Sequence, residues 1–554
     1  MIKIFNKIIL VVMVIIALSS CDEYLDKFPL DKPSDATFYS TESELKLGVN
    51  GIYSDLYFHP ANSTQLNLLL DCVSDIGWDR DANSPFQLLA RGLQNPTLKL
   101  FSDTWFQYYS TISKCNLLLA NMHKAKENTN PDIFSRIEGE ARFFRAYSYY
   151  MITSLYGDVP LIVEPQSDIT EKPASTPKNE IITFILNELE TSSGLLPSAY
   201  AGDDIGRITS GTALAIKART ALFDGNWSVA ADACKRIIDS KSYSLLPNYG
   251  SLFGYQSENS KESILEVQYS RVNTRTHGTP IALWSRMGGG YSNKVPSQSL
   301  VDSYYCTDGL PINISPLYNG ADPFKNRDPR LTATVVVPGS VFAGYQFETH
   351  PDSLKCWDYN VTPPVRRNNQ DATNPYATFS GYCWRKYTVE SKEYIKETEI
   401  NIILIRYAEI LLMYAEAKNE LGQMDQGAYD AFNLVRERVK MPTVSNKTQA
   451  EMRSLIRQER KVELAMEGLR FFDIRRWKLA EKVMVGSLYG RPYKKYQASY
   501  VPTFDEDGMP HYDAYADKLR NFDQRAFDPL RDYLWPVPQK ELDINSNMEQ
   551  NPGY

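Results

Sequence analysis

The sequence predicts a mainly α-helical protein, a superhelix of tetratricopeptide-like helical pairs with a loop-rich insert that contains short strands. Two stretches with matching spacing predict the pairs, and a change of composition predicts the insert. Ala415 lies seven residues before Gly422, and Ala218 lies seven residues before Gly225. A tetratricopeptide hairpin needs a small residue where its two helices cross. The equal spacing therefore favours a repeat, with chance apolar periodicity as the alternative.

The strongest helical pattern runs from about residue 398 to Gly422. Its apolar residues recur at steps of three and four, which predicts a buried helix; they are Ile403, Ile405, Ile410, Leu411, Met413, Tyr414, Ala417 and Leu421. Glycine can end a helix in the left-handed conformation. A second apolar face follows before Pro442 and has a counterpart after Gly225; the two faces are Ala428, Phe432 and Val435, and Ala230, Cys234 and Ile237.

Further helices are predicted on both sides of these hairpins. Asp35 or Ser40 to Thr41 could cap the first, which carries Leu45, Val49, Ile52, Tyr53 and Leu56. Gly157 and Pro160 should end the second of two long helices. The remaining predicted ranges are 102–122, 132–156, 179–192, 209–223, 228–240, 452–466 and 469–484.

Residues 271–397 differ in composition from the helical blocks around them. This window holds 11 of the 31 prolines, three of the eight tryptophans and the flexible run 288–290 of three glycines. Proline and glycine interrupt regular structure, so we predict irregular loops and short strands, such as 332–337. Loops on a stiff scaffold commonly carry the functional side chains.

The amino terminus has the pattern of a lipoprotein signal. Lys3 and Lys7 precede an apolar run of eleven residues, 8–18, which is too short to span a bilayer and suits a signal-peptide core. The run ends in LSSC at 18–21, which resembles the bacterial lipobox and implies lipidation of Cys21; an ordinary secretory signal is the alternative. The acidic pair 22–23 resembles the signal that sends lipoproteins of the Bacteroidetes to the cell surface.

Composition describes a folded, acidic protein. Hydrophobic residues make up 43% and charged residues 23% of the chain. Removal of residues 1–20 leaves 58 basic and 67 acidic residues, a formal charge of −9, which argues against a nucleic-acid partner. Beyond Cys21, six cysteines remain without metal-type spacing, and buried free thiols are the expected state; they are Cys72, Cys115, Cys234, Cys306, Cys356 and Cys383.

Five stretches together resemble the SusD/RagB family of outer-membrane nutrient-binding lipoproteins. They are the lipobox with its acidic pair, 296–311 (PSQSLVDSYYCTDGLP), 407–422, 459–478 (ERKVELAMEGLRFFDIRRWK) and 533–554, with LWPVP at 534–538 and QNPGY at 550–554. The resemblance implies four helical pairs and a loop-borne ligand site. It also implies a lid on a SusC-like TonB-dependent transporter, to which the protein hands oligosaccharides or, in RagB-like members, peptides. The helical scaffold would make much of the transporter contact.

The resemblance and the composition together suggest a division of the chain. We expect a signal peptide at 1–20 and a lipidated tether at 21–40, followed by a helical region at 41–270. A loop-rich ligand-binding region at 271–397 would then precede a second helical region at 398–554 that ends in a carboxy-terminal clasp.

Candidate ligand residues are aromatic side chains with polar neighbours outside the helical periodicity. A sugar ring needs an aromatic platform for its C–H face and planar hydrogen-bonding groups for its hydroxyls. Simple loop packing is the alternative at every one of these positions. The candidates are Trp78 with Asp79, Arg80 and Asn83, then Trp284 with Arg286 and Tyr291, and more weakly Trp357 and Trp384.

Two aromatic family stretches predict packing instead of binding. Phe471, Ile474 and Trp477 are three residues apart and share one helix face, with Asp473 placed to pair with neighbouring arginines. Trp535 lies between apolar residues and prolines, which predicts a packed clasp.

The sequence offers no recognisable catalytic motif and no cofactor motif. It lacks the G-x-S-x-G, H-E-x-x-H, phosphate-loop and dinucleotide patterns, and its five histidines are scattered. Residues 79–83 resemble the start of a calcium loop, but Ser84 and Ala90 stand where glycine and glutamate are needed. We therefore expect a binding lipoprotein for oligosaccharides without cofactor or metal. Peptide binding and a cryptic glycan hydrolase are the alternatives.

Overall fold

The computed structural model describes residues 38–554 apart from 62, 83, 167, 169 and 391. The predicted signal peptide, Cys21, most of the tether and Asn83 lie outside the described residues. In the part of the chain that is described, no helix combines the length and the apolar character that crossing a bilayer requires.

Helices dominate the molecule. In chain order they are α1 Glu42–Tyr53, α2 Leu66–Asp71, α3 Pro85–Ala90, α4 Lys99–Asn121, α5 Pro131–Tyr156, α6 Lys178–Leu195, α7 Ser210–Phe223, α8 Trp227–Ser240, α9 Thr279–Leu283, α10 Gln298–Ser303, α11 Arg330–Thr334, α12 Gln370–Thr373, α13 Tyr407–Glu420, α14 Gln426–Arg438, α15 Gln449–Glu463, α16 Arg470–Arg476, α17 Ala480–Val483 and α18 Gln539–Ile544.

The strands are short and widely spread. They are β1 Gly77–Asp79, β2 Ser263–Val267, β3 Lys294–Pro296, β4 Val335–Val336, β5 Val341–Phe342, β6 Tyr345–Gln346, β7 Lys355–Asp358, β8 Val365–Asn368, β9 Cys383–Trp384, β10 Ile402–Arg406, β11 Gly486–Pro492, β12 Thr503–Phe504, β13 Pro510–His511 and β14 Leu519–Arg525. The pairs β1–β3, β2–β10, β4–β9, β11–β14 and β12–β13 are two-stranded, while β5 to β8 form one antiparallel four-stranded sheet.

Successive helices stack into the predicted superhelix. From α4 to α8 each helix packs on the next, α13 packs on α8, and α14 and α15 pack on α13. Both predicted hairpins are confirmed, with Gly225 at φ +78° and Gly422 at φ +66° between their helices. The small residues Ala218 and Ala415 are fully buried. At the first helix, Thr41 forms a capping box with Glu44.

Three predicted elements were wrong in part. The helix expected from 398 begins only at Tyr407, because Ile402–Arg406 pairs with β2 as strand β10; a run of isoleucines favours a buried strand. The range 469–484 breaks into α16 and α17, with Lys478 between them at φ +56°. The expected strand at 332–337 begins inside helix α11, and only the two residues of β4 form a strand.

The predicted packing of the family stretches is confirmed. Asp473 pairs with Arg460 at 2.9 Å and with Arg476 at 2.8 Å. The Trp535 ring is buried against Phe101 and Tyr156. The six cysteines beyond Cys21 are free and buried.

Ten buried charges join the helical scaffold to the loop-rich region. We call this set the interior ionic network. Its members are Arg330, Lys386, Arg406, Arg436 and Arg438, and Glu262, Asp328, Glu459, Glu463 and Glu467. The network contains five cations and five carboxylates, so its formal net charge is zero.

Candidate functional site

The first segment of the candidate site leaves strand β1. Trp78 pairs with Val295 of β3, and Asp79 pairs with Lys294. The Asp79 carboxylate accepts from Lys294 Nζ at 2.7 Å and from the Ser84 hydroxyl at 2.7 Å. Burial alone would lower the pKa of Lys294, but Asp79 and Asp81 outweigh it and raise that pKa. The loop after β1 is thus held by a buried ion pair, and Arg80 extends from it.

The second segment is the turn after helix α9. Gly290 lies against Trp284, and a Cβ at this glycine would come within 2.3 Å of the Trp284 Cβ. The backbone N–H of Gly289 and that of Gly290 donate to Arg286 and Ser285. The glycine run predicted to be flexible is therefore a tightly packed turn, which fixes Arg286 on one side and Tyr291 on the other.

The third segment comprises helix α12 and the turn that follows it. Asp371 is buried and accepts from the backbone N–H of Arg286 at 2.6 Å. Burial raises the pKa of Asp371 to about 6, an effect that hydrogen bonds from the N–H groups of Met287 and Arg286 reduce. A few residues later Tyr376 projects into solvent with 62% of its surface exposed.

Arg80, Arg286, Tyr291 and Tyr376 meet where the three segments converge, and we call them the Tyr376 cluster. Arg80 Nη1 donates to the Tyr291 carbonyl at 2.8 Å and also to the Tyr376 carbonyl. Arg286 Nε donates to the same Tyr376 carbonyl at 3.0 Å. The Arg80 and Arg286 guanidinium carbons lie 5.5 Å and 6.0 Å from the Tyr376 ring centroid. Tyr291 is 43% exposed, so the cluster presents two aromatic rings and two guanidiniums to solvent.

The structure thus brings together three of the residues that the sequence singled out, Arg80, Arg286 and Tyr291. It buries three of the predicted tryptophan platforms, since Trp78 is 3% exposed and Trp284 and Trp384 are not exposed at all. Indole is the largest apolar side chain, and the core covers it wherever the fold allows. Trp78 lies just beneath the surface, where its ring centroid is 5.3 Å from that of the exposed Phe379. Asp79 is buried in its ion pair.

Trp357 is the one predicted tryptophan that the structure leaves half-exposed. It lies on strand β7 of the four-stranded sheet, with the Arg366 guanidinium 5.2 Å from its ring centroid. It belongs to a different element from the Tyr376 cluster. Trp384 is on strand β9, paired with β4 in the core.

Sequence reasoning missed Tyr376, the most exposed member of the cluster. It lies in the stretch NPYATF at 374–379, where a turn-forming Asn-Pro precedes two aromatic residues. That pattern was the available signal, but the predicted platforms were all tryptophans.

A cavity of about 720 Å³ is lined by residues outside the Tyr376 cluster. Tyr489, Met509 and His511 line it together with several carboxylates, Asp75, Asp505, Glu506 and Asp513. Leu488 also lines it and belongs to the same small apolar cluster as Trp78. The cavity has the volume of a ligand pocket. Across the described ranges, no group of three His, Cys, Asp or Glu side chains is arranged to hold a metal ion.

The fold and the cluster together define a class of protein, a helical-repeat scaffold that presents an aromatic, arginine-bearing surface on its loops. Comparison with known families makes the class specific. The SusD family model matches residues 261–554, and a model described as starch-binding and associating with the outer membrane matches residues 23–222. The chain belongs to the SusD family.

Individual relatives agree with this membership. SusD-like protein P2 of Formosa agariphila is 26% identical, with 98% of each chain covered. The starch-binding protein SusD of Bacteroides thetaiotaomicron is 24% identical over 76% of this chain and 73% of its own length. A solved SusD-like carbohydrate binding protein of Bacteroides fragilis is 29% identical, with a TM-score of 0.81, and the match covers 93% of this chain and all of that one.

Proposed function

We propose that this protein binds a saccharide at the Tyr376 cluster. The observation that carries the proposal is the exposed Tyr376 ring with two guanidiniums beside it. An aromatic face suits the C–H side of a sugar ring, and guanidinium N–H groups donate to hydroxyl oxygens around its edge. The ion pair of Asp79 and the packed turn at Gly290 hold these groups in place before ligand arrives, which limits the entropy lost on binding.

Capture would serve uptake without chemistry on the ligand. The lipobox resemblance at Cys21 supports a lipid anchor in the outer membrane, and the acidic pair after it supports an outward orientation. Membership of the SusD family supports a SusC-like TonB-dependent transporter as the partner that receives the saccharide. Replacing Cys21 by alanine should abolish incorporation of a labelled fatty acid and release the protein from membranes; continued labelling would contradict the anchor.

Alanine at Tyr376 tests the binding site. Loss of one stacking ring is expected to weaken saccharide binding by about 1–2 kcal/mol, roughly 5- to 30-fold in Kd. The measurement is isothermal titration with the strongest saccharide from a glycan array. Tyr359→Ala is the matched control, because Tyr359 is 44% exposed but lies outside the cluster, just after strand β7.

A third variant separates this site from the cavity. Tyr489→Ala removes an aromatic ring from the cavity lining and should leave the affinity unchanged. If Tyr489→Ala weakens binding while Tyr376→Ala does not, the saccharide sits in the cavity and the proposed site is wrong. New reducing ends during incubation with the bound saccharide would contradict a role in binding alone.

A further inference from the structure

The two guanidiniums of the Tyr376 cluster have no carboxylate partner. Their hydrogen bonds go to main-chain carbonyls, from Arg80 to Tyr291 and Tyr376 and from Arg286 to Tyr376 and Gly290. Within residues 38–554, leaving aside the few that the structure does not describe, neither side chain forms an ion pair. Carbonyl oxygens orient a guanidinium but carry no net charge to neutralise it.

Carboxylates are present near the cluster, but each is held by other donors. Asp79 and Asp81 accept from Lys294 Nζ at 2.7 Å and 3.1 Å. Asp371 accepts from the backbone N–H groups of Arg286 and Met287 at 2.6 Å and 3.3 Å. The charged donors that face solvent beside Tyr376 are therefore the guanidiniums.

Holding two cations beside one ring is unfavourable without an anion. Burial lowers the pKa of Arg80, and the neighbouring positive charge of Arg286 lowers it further, while Asp81 and Asp79 oppose the shift without cancelling it. An anion bound against the two guanidiniums would relieve this repulsion. Carboxylate and sulfate groups present paired oxygens that match the fork of a guanidinium and form charge-assisted hydrogen bonds with it.

We infer that the Tyr376 cluster selects an acidic saccharide, with a carboxylate or sulfate group bound by Arg80 and Arg286 while a sugar ring stacks on Tyr376. The inference rests on the proposed function and names its ligand class. A uronic acid and a sulfate ester would supply the same charge. A neutral saccharide would form no ion pair with either guanidinium.

Titration calorimetry of the mature protein at 50 mM and 300 mM NaCl tests this selectivity. The probes are a galacturonic acid hexamer, a chondroitin sulfate hexamer, maltohexaose, laminarihexaose and hexaglutamate. At the lower salt concentration, at least one acidic saccharide should bind ten-fold or more tightly than both neutral hexamers. Its affinity should fall several-fold at the higher concentration, because salt screens exposed charges. The stronger acidic hexamer identifies the anionic group.

Variants assign the effect to the two arginines. Arg80→Gln with Arg286→Gln should weaken acidic binding at least ten-fold and neutral binding clearly less, because a neutral saccharide loses hydrogen bonds to its hydroxyl groups but no ion pair. The double variant Arg80→Lys with Arg286→Lys should retain part of the salt-dependent binding, since both positive charges remain. Arg366→Gln is the matched control. Arg366 is an exposed arginine on strand β8, and its guanidinium lies over the Trp357 ring, outside the Tyr376 cluster. Thermal unfolding confirms that each variant is folded.

The outcomes separate this inference from the proposed function. Neutral hexamers that bind as tightly as acidic ones would overturn the inference and leave saccharide binding intact. Hexaglutamate binding more tightly than every saccharide would also overturn it, in favour of an acidic peptide. If no saccharide binds, the proposed function fails and the inference fails with it.

Discussion

The arginines of the interior ionic network and those of the Tyr376 cluster occupy opposite environments. Arg406 is fully buried and contacts Glu262, Glu463 and Glu467 at 2.6–2.8 Å. Arg80 and Arg286 are partly exposed, and their guanidiniums donate to main-chain carbonyl oxygens. Every cation of the interior ionic network has a carboxylate partner, whereas the two surface cations form no ion pair within the described part of the chain.

This difference indicates what each set of charges does. Burying an ion is costly unless a counter-ion compensates, so loss of one charge from the interior network should strongly destabilise the fold. Burial would raise the pKa of Glu463, but Arg438, Arg406 and Arg330 outweigh it and hold that pKa well below its usual value. Arg80 and Arg286 can remain without an ion pair because water partly solvates them. Their guanidiniums therefore stay available for a ligand.

Breaking the interior network should have the largest effect. Glu463→Gln removes one negative charge that faces three arginines, and we expect it to lower the free energy of unfolding by about 3–5 kcal/mol. Urea unfolding measures the change. Lys235→Ala removes an exposed helical ion pair with Asp239 and should cost under about 0.5 kcal/mol. A cost for Glu463→Gln as small as that of the control would contradict the structural role of the network.

A smaller effect is expected from the tryptophan beneath the surface. Trp78→Phe and Trp384→Phe each shrink a buried ring, and both should lower the free energy of unfolding by about 1–3 kcal/mol. Only Trp78 supports Phe379 and precedes Arg80 by two residues, so only Trp78→Phe should also weaken saccharide binding, by about two- to three-fold. Equal affinity losses in the two variants would mean that the binding surface does not depend on Trp78 specifically.

The smallest effect is a pH dependence confined to the surface cluster. The pKa of Asp371 is about 6, above the usual value near 3.9, so the folded protein takes up a proton there as the pH falls from 7 to 5. Loss of that negative charge behind Arg286 should tighten acidic-saccharide binding by about two- to three-fold. Calorimetry at pH 7 and pH 5 should detect the change in the wild type but not in Asp371→Asn.

The same protonation has a defined sign for stability. Because the folded pKa of Asp371 is raised, its stability contribution is fully present below the unfolded pKa and is lost as the pH rises through about 6. Between pH 6.5 and pH 4.5, the wild type should therefore gain stability relative to Asp371→Asn as the pH falls. If the stability of the wild type relative to Asp371→Asn stays constant or falls as the pH falls, Asp371 does not titrate in this range.

The helical scaffold was predictable because its signals are local. Small residues and glycines at fixed spacing placed both hairpins, and the buried Ala218 and Ala415 explain why that spacing is needed. Strand β10 was missed because its isoleucines also fit a helical period, and its partner β2 lies more than a hundred residues earlier. Pairing at that separation leaves no mark in a local pattern.

The proposed binding surface was only partly predictable. Arg80, Arg286 and Tyr291 were found through their tryptophan neighbours, yet the tryptophans are buried and Tyr376 provides the exposed ring. Which aromatic residue faces solvent depends on how three distant segments pack together. The family stretch at 459–478 was interpreted as packing, and its Glu459, Glu463 and Glu467 belong to the interior network.

The most direct measurement is a crystal structure of the mature protein with its tightest-binding saccharide. The account predicts a sugar ring stacked on Tyr376, with an acidic group within hydrogen-bonding distance of Arg80 and Arg286. A saccharide bound in the cavity beside Tyr489, with the Tyr376 ring still free, would contradict it.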